Sequence, residues 1–355
     1  MARYWQRRAH LIRGAIADFR EPVSLAMLKQ LAQRDNVEAR VVVHDRATWH
    51  LEHGPFPRRF WRNLPADRWT LLVQGLNLVV PAADALLQRF AFIPYARLDD
   101  VMVSYAAPGG GVGPHVDSYD VFLLQGMGIR RWRISTQRDQ DLEPRAPLKI
   151  LRAFRPRQSW NLATGDMLYL PPHIAHEGVA LDPCTTYSIG FRAPRYAELF
   201  EELFADHSLT NAGAYTDRGL HPTKHPGALP GAMVDGLAAA LSRIRFTRTM
   251  LADAIGAVST TPKANVIFDR PASPLPKRRF IAHVKSQGVG LDARSLLLYY
   301  GSTFYINGER ITPPAGNQSA LRQLADERAL TARSVSANIA GQLYEWYCAG
   351  WLHLT

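Results

Sequence analysis

Gly113-Pro114-His115-Val116-Asp117 sets an imidazole and a carboxylate two residues apart, and Pro171-Pro172-His173-Ile174-Ala175-His176-Glu177 brings two more imidazoles much later in the chain. Two imidazoles and one carboxylate on one side of a metal leave the opposite side open, which is the facial arrangement of non-haem Fe(II) oxygenases. Residues i and i+2 of a strand face the same way, so His115 and Asp117 can supply neighbouring ligands from one short stretch. The third ligand must come from a distant strand, and His176 is the residue expected there. His173 is its rival and reads as a rim residue. An H-x-D pair alone is weak, because most such pairs are surface polar residues.

The setting strengthens it. A Gly- and Pro-rich approach, Pro108 to Pro114, precedes the pair, and Val121-Phe122-Leu123-Leu124-Gln125-Gly126 follows as a buried strand ending in a turn. The turn Gly165-Asp166 and the apolar run to Leu170 lead to His176. A small β-barrel would bring these segments together. Arg97 to Tyr105 alternates as a half-buried strand, and in Ile129 to Ile134 the residues Arg130, Trp132 and Ile134 share one face. A charge aimed inward needs an anionic partner; a solvated arginine is the ordinary alternative in so arginine-rich a stretch.

The runs G-P-H-V-D-S-Y-D-V-F-L-L-Q-G, G-D-M-L-Y-L-P-P-x-x-x-H-E-G and Y-S-I-G-F-R-A-P, which carry the strong motifs of residues 99–194, resemble the bacterial JmjC-type ribosomal oxygenases. The resemblance implies an α+β chain: a JmjC-type double-stranded β-helix (cupin barrel), a helical dimerisation segment and a C-terminal winged-helix domain. It implies Fe(II) held by His115, Asp117 and His176, 2-oxoglutarate as cosubstrate, O2 as oxidant, and an arginine of ribosomal protein uL16 (L16) as the target. It makes Arg130 the partner of the distal 2-oxoglutarate carboxylate, with Arg131 facing outward. Ser188 is either a further contact to that cosubstrate or a satisfied core serine. A target guanidinium calls for a planar acid and an aromatic or hydroxyl wall, for which Asp100 and Tyr119 are the candidates and Asp120 the alternative acid. The bland readings are a loop-capping Asp and an interior Tyr.

The expected divisions are 1–205 for the catalytic domain, 206–270 for the helical dimerisation region and 271–355 for the winged-helix-like domain. A helix capped by Ser24, strands over Ala39 to His44 and Trp69 to Gln74, and a helix from Ala82 to Phe92 precede the barrel. Trp49, Trp61 and Trp69 are read as core. Between Met233 and Ile255, Leu237, Leu241, Ile244, Met250, Leu251 and Ile255 recur at helical spacing, as paired helices with an exposed apolar stripe. By resemblance this stripe makes a homodimer; a lid packed on its own barrel is the alternative. After a Pro-rich linker, 262–277, strands are expected over Arg279 to Val284, Ser295 to Tyr300 and Thr303 to Ile306, with Asn307-Gly308 as a hairpin turn and two closing helices. The last helix has little positive charge and reads as a packing module rather than a base-reading one.

With 355 residues, 47% hydrophobic, the chain can bury more than one core. Lys and Arg number 42 against 31 Asp and Glu, a formal charge of +11, which suits ribosomal surroundings or simple solubility. Two cysteines give no disulfide framework and no zinc spacing. No apolar run is long enough for a membrane span and no apolar signal segment follows the basic N-terminus, so a cytoplasmic protein is expected. A cupin metalloenzyme of another reaction type and a non-catalytic ribosome-binding factor are the competing readings. The inward Arg130 discriminates against the first and the intact triad against the second.

Overall fold

The computed structural model describes residues 3–45, 48–192, 194–205, 227–335 and 337–355. Twelve strands of the first half are β1 (His10–Ile12), β2 (Ala39–Asp45), β3 (Thr48–His53), β4 (Trp69–Val73), β5 (Leu98–Ala106), β6 (His115–Val116), β7 (Val121–Gln125), β8 (Arg130–Ser135), β9 (Gln158–Leu162), β10 (Met167–Leu170), β11 (Ala175–Ala180) and β12 (Cys184–Phe191). Eight of them form one antiparallel sheet in the order β1-β10-β7-β12-β5-β4-β2-β3, and the other four a smaller sheet, β6-β11-β8-β9. Each sheet collects strands far apart in sequence, the interleaving of a double-stranded β-helix. Barrel strands in which every residue is buried, such as β7 and β12, serve the cavity with one face and the outer core with the other.

The larger sheet carries its outer core under α1 (Leu25–Leu31) and α2 (Pro81–Gln88), with Leu28, Leu86, Phe90 and Tyr187 in one buried cluster. Ser24 caps α1 by accepting from the Met27 amide. Trp69 is buried, whereas Trp61, packed against this core, and Trp49 are partly exposed.

Contacts divide the chain into two compact units, 1–193 with 264–267, and 194–263 with 268–355. In the second, α3 (Tyr196–Ala205) packs on α5 (Arg248–Thr260), which follows α4 (Gly231–Arg243). The rest is α6 (Lys277–Ser286), β13 (Val289–Leu291), β14 (Leu297–Tyr300), β15 (Thr303–Ile306), β16 (Glu309–Ile311), α7 (Ala315–Glu327), β17 (Ala329–Leu330), α8 (Ala337–Cys348) and β18 (Leu352–Leu354). Phe280, Leu321, Leu343 and Trp346 centre its core. The β15–β16 turn is Asn307-Gly308, both with positive φ, 50° and 90°, as the hairpin reading requires. Helix α5 packs on this hairpin: the Tyr305 hydroxyl donates to Asp253 at 2.7 Å and the Gly308 amide to Thr260 at 3.0 Å.

One element departs from expectation. Arg279 to Val284, expected as a strand, lies in helix α6. Phe280 and Val284, one turn apart, are the buried pair, and Pro276 begins the helix as its N-cap residue. Of the helical region expected over 206–270, residues 206–226 lie outside the described residues. Among the described residues no helix is long and apolar enough to cross a membrane.

Candidate metal and cosubstrate site

Register places the site. Strand β11 pairs with β6 through His176 opposite His115, and with β8 through His176 opposite Ile134 and Gly178 opposite Trp132. The two histidines therefore meet across one ladder rung, ring centroids 4.2 Å apart. Each imidazole is fixed the same way: His115 Nδ1 lies 2.9 Å from the Gly113 carbonyl and His176 Nδ1 2.9 Å from the Ile174 carbonyl. With Nδ1 donating to a backbone carbonyl, Nε2 is left with its lone pair facing inward, the tautomer a metal ligand needs.

Asp117 completes the group. Its carboxylate lies 4.0 Å from His115 Nε2 and 3.6 Å from His176 Nε2, and the three ligand atoms all fall within 4.8 Å of one another. Asp117 is not on the strand with His115, because β6 ends at Val116; the backbone turns away at His173, with φ 66°, and leaves no partner rung for a longer strand. Instead the His173 amide donates to the Asp117 carbonyl at 2.8 Å, fastening the ligand loop. His173 itself is exposed and outside the ligand group, so the rim reading describes it.

Burial, reinforced by the neighbouring His115, pulls the His176 pKa down to about 3, so the ring stays neutral and able to ligate. Burial raises the pKa of Asp117 against the opposing pull of His115, of a Tyr119 hydrogen bond and of Arg40. A cation placed between these groups would reverse that penalty, and it is the burial of an acceptor-only donor set that a divalent ion fits.

Behind the group lies a cavity of about 290 Å³. Alternation along each strand decides its walls: Asp100, Met102 and Ser104 from β5, Val121 and Leu123 from β7, Arg130 and Trp132 from β8, Thr186, Ser188 and Gly190 from β12. Gly178 permits this packing, since a Cβ there would sit 2.8 Å from the Trp132 ring. Arg130 is buried; its Nη1 donates to the Ser104 hydroxyl at 3.0 Å, while Nε and Nη2 have no hydrogen-bond partner. Arg131 is exposed, as expected.

Asp100 is buried in the cavity wall with one oxygen held by Gln74 Nε2 at 2.8 Å and the Gly75 amide at 3.1 Å. Tyr119 overhangs the cavity, and burial with the nearby Asp117 pushes its phenol up, keeping it a neutral hydroxyl. Asp120 does not line the cavity. It is fully buried and accepts from Tyr169 at 2.6 Å, Gln6 at 3.0 Å and Arg97 at 3.2 Å, a structural knot, so the alternative acid is corrected to a packing role. Trp132 lines the cavity beside Arg130, with which it was expected to share a face, whereas sequence reasoning passed over Ser104, Arg40 and Lys149. The parity of β5 pointed to Ser104; Lys149, in the irregular excursion between β8 and β9, left no such signal.

A double-stranded β-helix bearing two imidazoles and a carboxylate at one end of its cavity is the arrangement of a cupin-type metal-dependent oxygenase. A JmjC domain matches residues 85–199 and a ROXA-like winged helix residues 243–353. The chain is 33% identical over 339 residues, 94% of its own length and 90% of the relative's, to the ribosomal protein uL16 3-hydroxylase of Escherichia coli K12, and it belongs to that family. A probable ribosomal oxygenase of Haemophilus influenzae is 35% identical over 56% of this chain and 50% of its own. Among solved structures, the E. coli ribosomal oxygenase YcfD in complex with cobalt and 2-oxoglutarate superposes with a TM-score of 0.86 at 31% identity, covering 99% of this chain and 96% of that one.

Proposed function

We propose that this chain is an Fe(II)- and 2-oxoglutarate-dependent oxygenase that hydroxylates carbon 3 of an arginine side chain in ribosomal protein uL16. The observation that carries the reading is Arg130. A guanidinium buried with two nitrogens unpartnered is costly unless an anion joins it, and this one lines the same cavity as a facial donor set. His115, Asp117 and His176 would hold the metal, and the uL16 3-hydroxylase relative supplies the substrate reading.

Bound there, the iron with 2-oxoglutarate and O2 would supply the oxidising power that turns the cosubstrate to succinate and CO2 and one substrate C–H to C–OH. The chain's own residues do the rest. Arg130 grips the distal carboxylate with its unpartnered nitrogens, Ser104 holds Arg130 in aim, and Ser188 offers a further hydroxyl. Trp132 and Leu123 wall off water. The held Asp100 and the neutral Tyr119 receive the target guanidinium, which directs the side chain toward the metal. No side-chain base is required. The apolar residues exposed on α4 and α5 support a homodimer, and a uL16 substrate supports a cytoplasmic enzyme.

The test is an assay of succinate formation and uL16 hydroxylation with purified protein. His176→Ala should abolish both; retained turnover would move the metal elsewhere. Asp100→Ala should weaken hydroxylation sharply while sparing 2-oxoglutarate binding, because an uncompensated buried charge costs about 3–5 kcal/mol. A target lysine accepted as readily as arginine would sink guanidinium recognition.

A further inference from the structure

The larger sheet ends on β3, and among the described residues no other strand pairs with its outer side. The phase of the ladder says which groups are left. The Gly54 amide donates to the Ala39 carbonyl at 2.8 Å, and the register runs from Arg40 opposite His53 to Asp45 opposite Thr48. In an antiparallel ladder with that phase, His50 and Glu52 exchange hydrogen bonds with β2, whereas Trp49, Leu51 and His53 turn their N–H and C=O groups outward. The His44 amide, donating to the Arg68 carbonyl on the opposite side at 2.9 Å, fixes the same phase independently.

A groove of about 660 Å³ follows this edge. Phe60 and Leu64, packed against the outer core, form one bank, and Arg145 and Pro147 the other. The second bank leads to the site, since Pro147 is followed by Leu148 and Lys149, which line the metal-side cavity. On β2, Arg40 lines that cavity too and is the residue opposite His53.

We propose that this groove receives an extended segment of the substrate polypeptide flanking the modified side chain, added to β3 as a further strand. The inference rests on uL16 being the substrate. Main-chain pairing suits an enzyme that must hold a protein loop rather than a small molecule, with Trp49, Phe60 and Leu64 taking alternate side chains. Neighbouring strands are about 4.8 Å apart, so an added strand lies about 10 Å from β2, whose Arg40 lines the cavity.

The experiment measures uL16-peptide kinetics in two arms. One arm uses wild-type enzyme and peptides N-methylated singly along both flanks of the target arginine; the other uses Leu51→Pro, which removes an outward amide that an edge strand can lose. The expected result is a KM raised roughly tenfold at alternate flanking positions and in Leu51→Pro, with kcat and the 2-oxoglutarate KM unchanged. Should Leu51→Pro fail to fold by its circular-dichroism melt, the N-methyl arm decides alone. A flat KM throughout overturns the groove while leaving the substrate reading intact. Wild-type enzyme that leaves uL16 unmodified overturns that reading and this occupant with it. A fall in oligomeric mass in Leu51→Pro overturns the proposal by assigning the edge to a second copy.

Discussion

The Arg130 guanidinium is costly by itself and, on the proposed reading, is paired by the cosubstrate carboxylate. Two guanidinium nitrogens are buried without partners, and an unmet charged donor costs about 1–3 kcal/mol or more. Arg130→Met should therefore raise the unfolding free energy of the ligand-free protein by about 1–3 kcal/mol, since replacing buried charge by an apolar group of similar volume is often stabilising. The same variant should lose at least about a hundredfold in 2-oxoglutarate affinity, the effect of truncating a buried charge partner. Thermal melts with and without 2-oxoglutarate read both effects: the ligand should raise the wild-type midpoint and leave the variant unmoved. A variant that melts lower than wild type and still responds to 2-oxoglutarate would remove Arg130 from the cosubstrate site. Strand parity put Arg130 on one face with Trp132 and Ile134, and the family resemblance made that face the inward one and set Arg131 outward. Asp120 was misread for the converse reason: three residues past Asp117, outside any strand, its direction is set by Tyr169, Gln6 and Arg97, contacts from distant parts of the chain.

Elements with a strong period and a cap were readable, and those whose length or ends depend on a partner were not. The Ser24-capped α1, the alternating β5 and β8 and the Asn-Gly hairpin came from local signals. Strand β6 pairs with only two residues of β11, and α6 sets its two buried residues, Phe280 and Val284, among basic and other apolar ones. Strand β1 escaped notice as well, and it is tied down by Asp166. That carboxylate accepts from the Gly14 and Ala163 amides at 2.9 and 3.0 Å and from Arg13 at 2.6 Å. Burial pushes its pKa up, but the two amides and Arg13 outweigh this and hold it below the usual carboxylate value. A carboxyl whose folded pKa is depressed contributes stability that is present above about pH 4 and is lost as pH falls through the folded pKa. Asp166→Asn should then cost about 1–2 kcal/mol at pH 7, mostly from the amide contacts because Arg13 is largely exposed. Urea titrations at pH 7 and pH 3 test this: the gap between wild type and variant should narrow at the lower pH. A gap of constant size would show that shape, not charge, accounts for the contribution.

At the scale of the molecule the unresolved demand is apolar surface. Met233, Val234, Leu237 and Leu241 on α4, with Leu251 and Ile255 on α5, are each at least 43% exposed in the single chain. Exposed residues scattered singly are ordinary, but six on two consecutive helices are more exposed apolar surface than a helix pair usually leaves to water, and such surface marks association sites. A second copy of the same patch is the simplest complement, because a two-fold axis makes one surface self-complementary. The chain's formal charge of +11 opposes aggregation without opposing a specific apolar contact. Light scattering at micromolar concentration should give twice the 39.7 kDa of one chain. Leu237→Glu with Leu241→Glu should return it to a single chain, since placing carboxylates in an apolar interface desolvates them without a partner. The thermal midpoint distinguishes this from a stripe that packs within its own chain. Loss of mass with the cooperative melt retained places the stripe between subunits, whereas a wild-type mass of one chain, or a double variant that no longer melts cooperatively, assigns the stripe to the fold of a single chain.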